Sequence, residues 1–280
     1  ITVNVIMDPA ISPRFSVLRA CGNMAAVHGS VSWGFSAPTL WEVVNANGGL
    51  NDTLQPENGI NFELGVKGRI FKRLTYDLSG YSMQLRNTIV PGEDSNGIEY
   101  FENSGFTDQL GFEIASTYSF IKQNDHKFWK RANIQATYTL QNYKFGSYIT
   151  SGDTVSGNYL PGVPKMSATA ILHLSLQVGA YFEARYSHVG STALNNTNTA
   201  WASSYNLLDL EAGYTRTFFK QFRAKLYFGV NNLLDETYTS FYRLNGFGGK
   251  FYNPSAGINF YGGLNLSYAF SMTGSDKKDR

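Results

Sequence analysis

The chain has 280 residues and a formal net charge of +2. It therefore has no strong basic field that would suggest a nucleic-acid partner and no acidic tail that would suggest a solvating partner. Charged residues make up only 16% and aromatic residues 15%, and the one cysteine, Cys21, provides neither a disulfide pair nor a metal-site spacing. The sequence contains no run of about 18 apolar residues, which excludes a transmembrane helix.

Apolar residues alternate with small or polar residues along most of the chain, and no convincing helical period interrupts the pattern. A period of two predicts β-strands, because successive side chains of a strand point to opposite faces. We predict an all-β chain of about eleven strands. In chain order they are PRFSVLRA, MAAVHGSVSWG, INFELGVKGRI, LTYDLSGYSM, LGFEIASTYSF, RANIQATYTLQ, KMSATAILHLSLQ, VGAYFEARYSH, NLLDLEAGYTRT, QFRAKLYFGVNN and GINFYGGLNLSYAF.

The connections between these segments alternate between short and long. Short ones fall at 21–23, 70–73, 123–130, 177–179 and 218–221, and long ones at about 35–59, 88–105, 146–163, 191–203 and 235–256. Sandwiches and Greek keys give no reason for loops to be segregated by length. The alternation therefore predicts an up-and-down antiparallel meander whose two ends face different compartments.

Strand length and aromatic placement indicate what the apolar face contacts. Several segments run well beyond the usual length of about five or six residues, and a transmembrane strand needs about 9 to 11. Aromatic residues lie near the strand ends, as expected of an interfacial girdle: Trp129, Phe218, Phe219, Tyr268 and Phe270. We therefore predict a transmembrane β-barrel whose apolar face contacts lipid.

An odd number of strands is a difficulty for a barrel made by this chain alone. Bacterial single-chain barrels have an even count, and an open edge in lipid leaves backbone groups unsatisfied. Either one strand lies unrecognised near ITVNVIM, or the chain is part of a larger barrel.

Several motifs resemble TonB-dependent outer-membrane receptors, in the same order, over about residues 11–270. The stretch ISPRFSVLRACGNMAAVHGSVSWGFSAPTLWEV resembles the strand pair that leads into a "GF-x-x-P-T" loop in that family, and LQPENGINFELGVKG resembles the segment that follows it. The last strand, ending at Phe270, resembles the family's terminal strand. The near-terminal "V-x-N-L-x-D-x-x-Y" signature is matched at Val230, Asn232, Leu233, Asp235 and Tyr238.

The resemblance implies a fold, a location and partners. Members close a barrel of about 22 strands around an N-terminal plug; nothing here resembles that plug, so residues 1–270 would form about the C-terminal half of the barrel, with 271–280 as a polar tail. The implied location is the bacterial outer membrane, with long loops extracellular and short turns periplasmic. The implied partners are outer-membrane lipid, a small-molecule ligand and, through the absent plug, the TonB complex.

The sequence contains none of the common catalytic, phosphate-binding or metal-binding motifs. It contains no G-x-S-x-G, no H-E-x-x-H and no phosphate-binding loop. The four histidines, His28, His126, His173 and His188, have no metal-ligand spacing. We expect no enzyme activity, no catalytic residue, no metal site and no cofactor.

Charged residues of both signs lie on the polar faces of the predicted strands. In a barrel they line the lumen, either as a hydrated scaffold that packs a plug or as a ligand path. They are Glu63, Lys67, Arg69, Asp77, Glu113, Glu183, Arg185, Asp209, Glu211, Arg223 and Lys225.

Aromatic residues in the long loops are the candidate ligand contacts. Rigid rings beside a cation suit the capture of a flat or anionic ligand, although they equally suit loop packing or an interfacial girdle. The candidates are Trp41, Trp201, Tyr238, Phe241, Tyr242, Arg243, Phe247 and Tyr252.

The resemblance implies an active-transport receptor that imports a scarce ligand, with iron–siderophore as the default and cobalamin-like or glycan ligands still open. The alternative is a passive porin, or a structural or adhesive barrel, formed by this chain alone. That alternative predicts a closed even-stranded monomer or a symmetric oligomer.

Overall fold

The computed structural model describes residues 11–44, 49–93, 96, 98–121, 127–150, 153–219 and 221–270, so the segment ITVNVIM, His126 and the polar tail at 271–280 lie outside the described residues. Eleven long strands form one sheet in which each strand pairs with its chain neighbours. They are β1 (Arg14–Cys21), β2 (Ala25–Ser36), β3 (Glu57–Ile70), β4 (Leu74–Arg86), β5 (Phe106–Ile121), β6 (Trp129–Phe145), β7 (Met166–Leu176), β8 (Ala180–Val189), β9 (Tyr205–Phe218), β10 (Phe222–Asn231) and β11 (Asn259–Tyr268). The predicted antiparallel meander is confirmed.

The two ends of the sheet differ as the loop lengths predict. At one end, here called the short-turn end, the connections are 22–24, 71–73, 122–128, 177–179 and 219–221. At the other, the long-loop end, they are 37–56, 87–105, 146–165, 190–204 and 232–258. Gly179 illustrates the tightness of the short turns: its φ is +103°, and a Cβ there would collide with the carbonyl oxygen of Thr215.

Strand register gives the sheet one apolar and one polar face, because directly paired residues share a face. One row of the apolar face crosses six strands through Val17, Gly29, Leu64, Gly80, Phe112 and Leu140. Leu64 is 67% exposed and Leu226 61% exposed. An apolar face of this extent is not stable against water, so lipid covers it.

The sheet is open. β1 and β11 stand at its two edges, and among the described residues neither pairs with a second strand of the sheet. Backbone N–H and C=O groups left unpaired in hydrocarbon cost several kcal/mol each. The eleven strands are therefore a partial barrel wall, as the odd strand count indicates.

The long loops contain short elements of their own. Within the described residues, no helix is long and apolar enough to cross a bilayer. The loop elements are the hairpins Ile89–Glu93 with Glu99–Asn103, Ile149–Thr150 with Asp153–Thr154, Thr192–Ala193 with Trp201–Ala202, and Thr239–Tyr242 with Tyr252–Pro254, a helical turn at Leu40–Val43 and a 3₁₀ turn at Phe247–Gly249.

A small apolar core lies at the long-loop end. Phe145, at the end of β6, is 1% exposed and Val155 is fully buried. Val90, Tyr148 and Leu160 complete this cluster, which joins the loop after β4 to the loop after β6. The loops are therefore packed against one another, and this packing holds the loop side chains in place.

Candidate functional site

The polar face carries all the charged residues that the sequence assigns to it. Register places Glu63 opposite Tyr81, Lys67 opposite Asp77, and Arg185 opposite Asp209 on this face. Across β7 and β8, His173 Nδ1 lies 3.6 Å from Glu183, whose other oxygen lies 3.7 Å from Arg185. Of these contacts, His173–Glu183 joins two strands, whereas Glu183 and Arg185 lie on the same strand.

Glu211 on β9 is the hub of a network that joins the last four strands. The hydroxyls of Tyr181 and Tyr261 donate to its two oxygens at 2.6 and 3.0 Å. Lys225 Nζ lies 3.5 Å from Glu211, and it lies 4.8 Å from the ring of Tyr181 and 5.1 Å from that of Tyr227. The carboxylate therefore has three donors, and the ammonium is held between a carboxylate and two aromatic faces.

A concave polar groove of about 490 Å³ lies on the same face between β2 and β6. Its lining includes Asn61, Glu63 and Glu113, together with Tyr81 and Tyr143, whose hydroxyls are hydrogen-bonded at 2.5 Å. This surface therefore offers hydroxyl, amide and carboxylate groups. It suits contact with water, a polar ligand or a polar protein surface.

Tyrosine rings on the polar face lie over glycines of the neighbouring strand. Tyr181 is paired with Gly213, and a Cβ added at Gly213 would lie 2.5 Å from the Tyr181 ring. Three further pairs repeat the arrangement: Tyr81 over Gly111, Tyr227 over Gly263 and Tyr261 over Gly229. Rings that lie along the wall in this way project less from the polar face than rings that stand upright on it.

His28 and His188 contact polar side chains of neighbouring strands. His28 Nε2 lies 3.3 Å from Glu63, and His188 Nδ1 lies 2.8 Å from Asn206 Oδ1. Among the described residues, no group of three His, Cys, Asp or Glu side chains is placed to hold a metal ion. We assign no catalytic or metal-binding role to these histidines.

Asn245 ties three long loops together. Its side-chain amide donates to the carbonyl of Pro91 at 2.7 Å, and its side-chain oxygen accepts from the backbone N–H of Asn196 at 2.8 Å. Its own backbone N–H donates to Leu194 O at 2.9 Å. The last long loop is thus anchored to the loops after β4 and β8, which no local sequence pattern indicates.

Five of the predicted ligand contacts lie on the hairpin of the last loop or next to it. The rings of Tyr242 and Tyr252 meet edge to face at 6.2 Å, and Tyr238 packs against Tyr205 at 4.9 Å. Burial raises the pKa of Tyr242, and nearby Tyr252 raises it further. Phe241, in the same hairpin, is 68% exposed.

The fifth of these contacts is Arg243, and the other three predicted contacts lie outside the strands of the hairpin. Arg243 follows the hairpin strand, and its backbone N–H donates to Phe251 O at 2.9 Å, while Phe247 lies in the 3₁₀ turn and is 54% exposed. Trp41 is 85% exposed on the helical turn of the first long loop. Trp201 belongs to a different cluster, with Tyr159. The predicted set is therefore one group on the last loop plus two separate tryptophans.

Comparison with known proteins gives the same architecture. Residues 7–233 match the model of the family described as TonB dependent receptor-like, beta-barrel. Among solved structures, the ferric yersiniabactin uptake receptor FyuA from Yersinia pestis is 19% identical with a TM-score of 0.65, over 92% of this chain and 37% of that one. The siderophore receptor PiuA from Acinetobacter baumannii is 20% identical with a TM-score of 0.66, over 91% and 35%.

The copper transporter OprC is 17% identical with a TM-score of 0.70, over 92% of this chain and 38% of that one. Identities at this level show the fold alone, and this chain spans little more than a third of the length of these relatives. The family match covers most of the chain and agrees with the eleven-stranded partial wall. The chain therefore belongs to the TonB-dependent receptor-like β-barrel family.

Proposed function

We propose that the native protein carrying this chain imports a small-molecule ligand across the bacterial outer membrane, with a ferric siderophore as the ligand class. Receptors of this family are transporters of the outer membrane and not enzymes. The observation that carries the proposal is the family match over residues 7–233, on a partial wall whose polar face is lined with tyrosines and paired charges.

The orientation belongs to the same proposal. The long-loop end would face the outside and the short-turn end the periplasm. Two features support this: the long loops pack into a shared core around Phe145, and the last loop displays a group of aromatic side chains. A surface that captures scarce ligands from outside needs such loops, whereas tight turns such as the one at Gly179 offer little contact area.

Ligand capture would use the last long loop. Tyr242 and Tyr252 present rings and hydroxyls, Phe247 adds an apolar surface, and Arg243 follows Tyr242 directly in the chain. Aromatic faces together with a guanidinium suit a ligand that carries negative charge and aromatic rings, as ferric catecholate siderophores do. Two of the structural relatives carry siderophore names and a third is a copper transporter, which supports a metal-containing cargo as the class to test first.

Energy would reach the ligand through a plug that is not part of this chain. The polar face would contact that plug, and the Glu211–Lys225 network and the groove between β2 and β6 offer the polar surface for it. The TonB complex would then act on the plug. In this arrangement the wall supplies a fixed scaffold, and the plug moves.

The alternative, a passive porin or adhesive barrel made by this chain alone, is not favoured. It requires a closed barrel, whereas the described strands number eleven and leave β1 and β11 without second partners in the sheet. A second copy of the chain would have to complete the wall. No observation supports such a dimer.

Uptake by intact cells tests the proposal. Cells with and without the gene are supplied with iron-55 as a ferric catecholate, a ferric hydroxamate or ferric citrate, and separately with labelled cobalamin, with and without a protonophore. We expect gene-dependent uptake of one ferric probe that the protonophore abolishes. Uptake of every probe at equal rate, unaffected by the protonophore, would indicate a passive pore and contradict active import.

Two variants connect uptake to the loop. Tyr242→Ala with Tyr252→Ala should raise the half-saturating concentration of the imported probe about tenfold or more, because each ring lost from stacking costs about 1 kcal/mol. Tyr268→Ala, which removes a ring at the short-turn end, is the matched control and should leave it unchanged. If the tyrosine variant and the Tyr268→Ala control changed the half-saturating concentration equally, the last loop would not be part of the ligand site.

A further inference from the structure

One arginine lies on the lipid-facing side of the wall. Arg216 of β9 is paired with Ala224 of β10, which is paired in turn with Leu266 of β11. Two residues earlier on β9, Tyr214 is paired with Leu226. Paired residues share a face of the sheet, and so do residues two apart on one strand. The guanidinium of Arg216 therefore belongs to the apolar face that lipid covers.

Arg216 lies near the edge of the apolar band, at the short-turn end. β9 ends two residues beyond it at Phe218, which is paired with Phe222, the first residue of β10. Phe222 is also paired with Tyr268, the last residue of β11. Aromatic girdles mark the level of the lipid headgroups in membrane barrels. These three rings therefore place Arg216 at the interface and not at the centre of the bilayer.

Aromatic rings hold the guanidinium in place. Its central carbon lies 5.5 Å from the ring centre of Phe218, which is within cation–π range. Phe218 in turn packs against Phe222, with ring centres 6.2 Å apart. The hydroxyl of Tyr268 donates to Gln221 Oε1 at 3.0 Å, which ties the last strand to the turn between β9 and β10. We call Arg216, Phe218, Phe222 and Tyr268 the Arg216 patch.

No carboxylate on these strands faces Arg216. The apolar faces of β8, β9, β10 and β11 contain no aspartate or glutamate. The ion pairs found in the described part of the chain involve Glu63, Glu183 and Glu211, all on the polar face. Both neighbours of β9 are present in the sheet, so a strand added at either edge would not lie beside Arg216. A cation on a lipid-facing surface is costly unless it meets a counter-charge at the interface.

We propose that the Arg216 patch binds the phosphate of an anionic phospholipid. The guanidinium would donate to two phosphate oxygens, because its planar fork matches that group. Phe222 and Tyr268 would lie against the glycerol and the upper acyl chains, as interfacial aromatics do. An anionic headgroup is favoured over a zwitterionic one, because no ammonium within the lipid offsets its phosphate.

The leaflet follows from the orientation of the wall. With the short turns in the periplasm, the Arg216 patch lies in the inner leaflet of the outer membrane, which consists of phospholipids. In this respect the inference rests on the proposed function. Its occupant would hold the last three strands at a fixed depth in the bilayer without entering the barrel.

A second arginine at the same level supplies a matched control. Arg223 of β10 is paired with Thr217 of β9 and with Ser267 of β11, all on the polar face. Arg216 and Arg223 thus carry the same charge at nearly the same depth, on opposite sides of one wall. A membrane lipid reaches only the outer side, so only Arg216 should affect its binding.

Native mass spectrometry of the detergent-purified native protein tests the site. The probes are phosphatidylglycerol, phosphatidylcholine with the same acyl chains, and the soluble headgroup glycerol 3-phosphate. Arg216→Gln should weaken binding of phosphatidylglycerol about fivefold, the effect expected of one cation near a headgroup, and remove its advantage over phosphatidylcholine. Arg216→Lys, which keeps the charge, should retain most of the binding, and Arg223→Gln should retain all of it. Glycerol 3-phosphate should bind weakly to the wild type and to every variant.

The other outcomes would contradict the site. Equal binding of phosphatidylglycerol by the wild type and the Arg216→Gln variant would overturn it, as would an equal loss in the Arg223→Gln variant. Loss of glycerol 3-phosphate binding as large as that of the lipid would indicate a free-phosphate site instead.

The uptake assay separates this inference from the proposed import. Arg216-dependent lipid binding, with no uptake of any probe by cells, would support the lipid site and contradict import. Uptake as expected, with no lipid binding that depends on Arg216, would support import and contradict the lipid site.

Discussion

Tyr181 on β8 lies across Gly213 on β9, in the space that a Gly213 side chain would occupy. From this position its hydroxyl donates to Glu211, two residues earlier on the same strand, at 2.6 Å. The glycine thus determines where the ring lies, and the ring determines where the hydroxyl points. Tyr181 therefore links the packing between β8 and β9 to the hydrogen-bond network around Glu211.

Gly213→Ala should destabilise the wall by about 1 to 3 kcal/mol, because the new methyl group displaces the Tyr181 ring. Denaturant unfolding of the native protein in detergent measures this free energy. Gly80→Ala is the control, since the atoms nearest to a Cβ there lie at 3.9 and 4.0 Å, an ordinary contact. If the two alanine substitutions lower the free energy of unfolding equally, the position of the Tyr181 ring does not depend on Gly213.

Removing the Glu211 carboxylate should be costlier than removing any one of its donors. Glu211→Ala leaves Lys225 without its ion partner and two phenols without an acceptor, so we expect a loss of about 1 to 3 kcal/mol. Tyr261→Phe removes one hydrogen bond and should cost about 0.5 to 1.5 kcal/mol. The same unfolding measurement checks both, and a Tyr261→Phe loss as large as that of Glu211→Ala would contradict the hub.

The face assignment can be tested with two neighbouring residues near the middle of β5. Ile114 pairs with Leu78 and Tyr138 on the apolar face, so Ile114→Arg should cost about 2 to 4 kcal/mol in a bilayer. Ala115 pairs with Asp77 on the polar face, so Ala115→Arg gains an ion partner. Insertion into lipid vesicles distinguishes them. Similar insertion of the two variants would mean that the faces are wrongly assigned.

Asn245→Ala should loosen the long loops while leaving the wall intact. It removes the side-chain hydrogen bonds to Pro91 and Asn196 and places alanine at a φ of +54°, which alanine adopts less readily than asparagine. Limited proteolysis should cut the loops several times faster than in the wild type. Asn253→Ala, at an exposed position of the same loop, is the control, and equal cleavage of the two variants would exclude the anchoring role.

The sequence predicts the wall well because its pattern has a strong physical cause. Each strand separates lipid from the polar interior, so side chains such as Leu64 and Glu63 must alternate, and the strand bounds follow from that. The alternation of loop lengths follows from the meander. Register is not encoded locally, and the tyrosine–glycine pairs therefore become visible only when strands are set side by side.

The candidate site is less predictable. Aromatic loop residues such as Tyr242 and Tyr252 are conspicuous in the sequence, and the structure brings those two together. The links that hold the loops, such as Asn245 with Pro91, join residues 154 positions apart, which a local pattern does not indicate. Lys144 and Lys165 are unremarkable in the sequence, and only the fold places both against Tyr159.

The open edges at β1 and β11 make one measurement decisive: the intact mass, under denaturing conditions, of the native protein extracted from outer membranes. We predict a mass well above 31.1 kDa, because further strands must pair with both edges and the proposed function adds a plug. A mass of 31.1 kDa would mean that this sheet closes with another chain. That result would contradict an importer built as a single-chain plugged barrel.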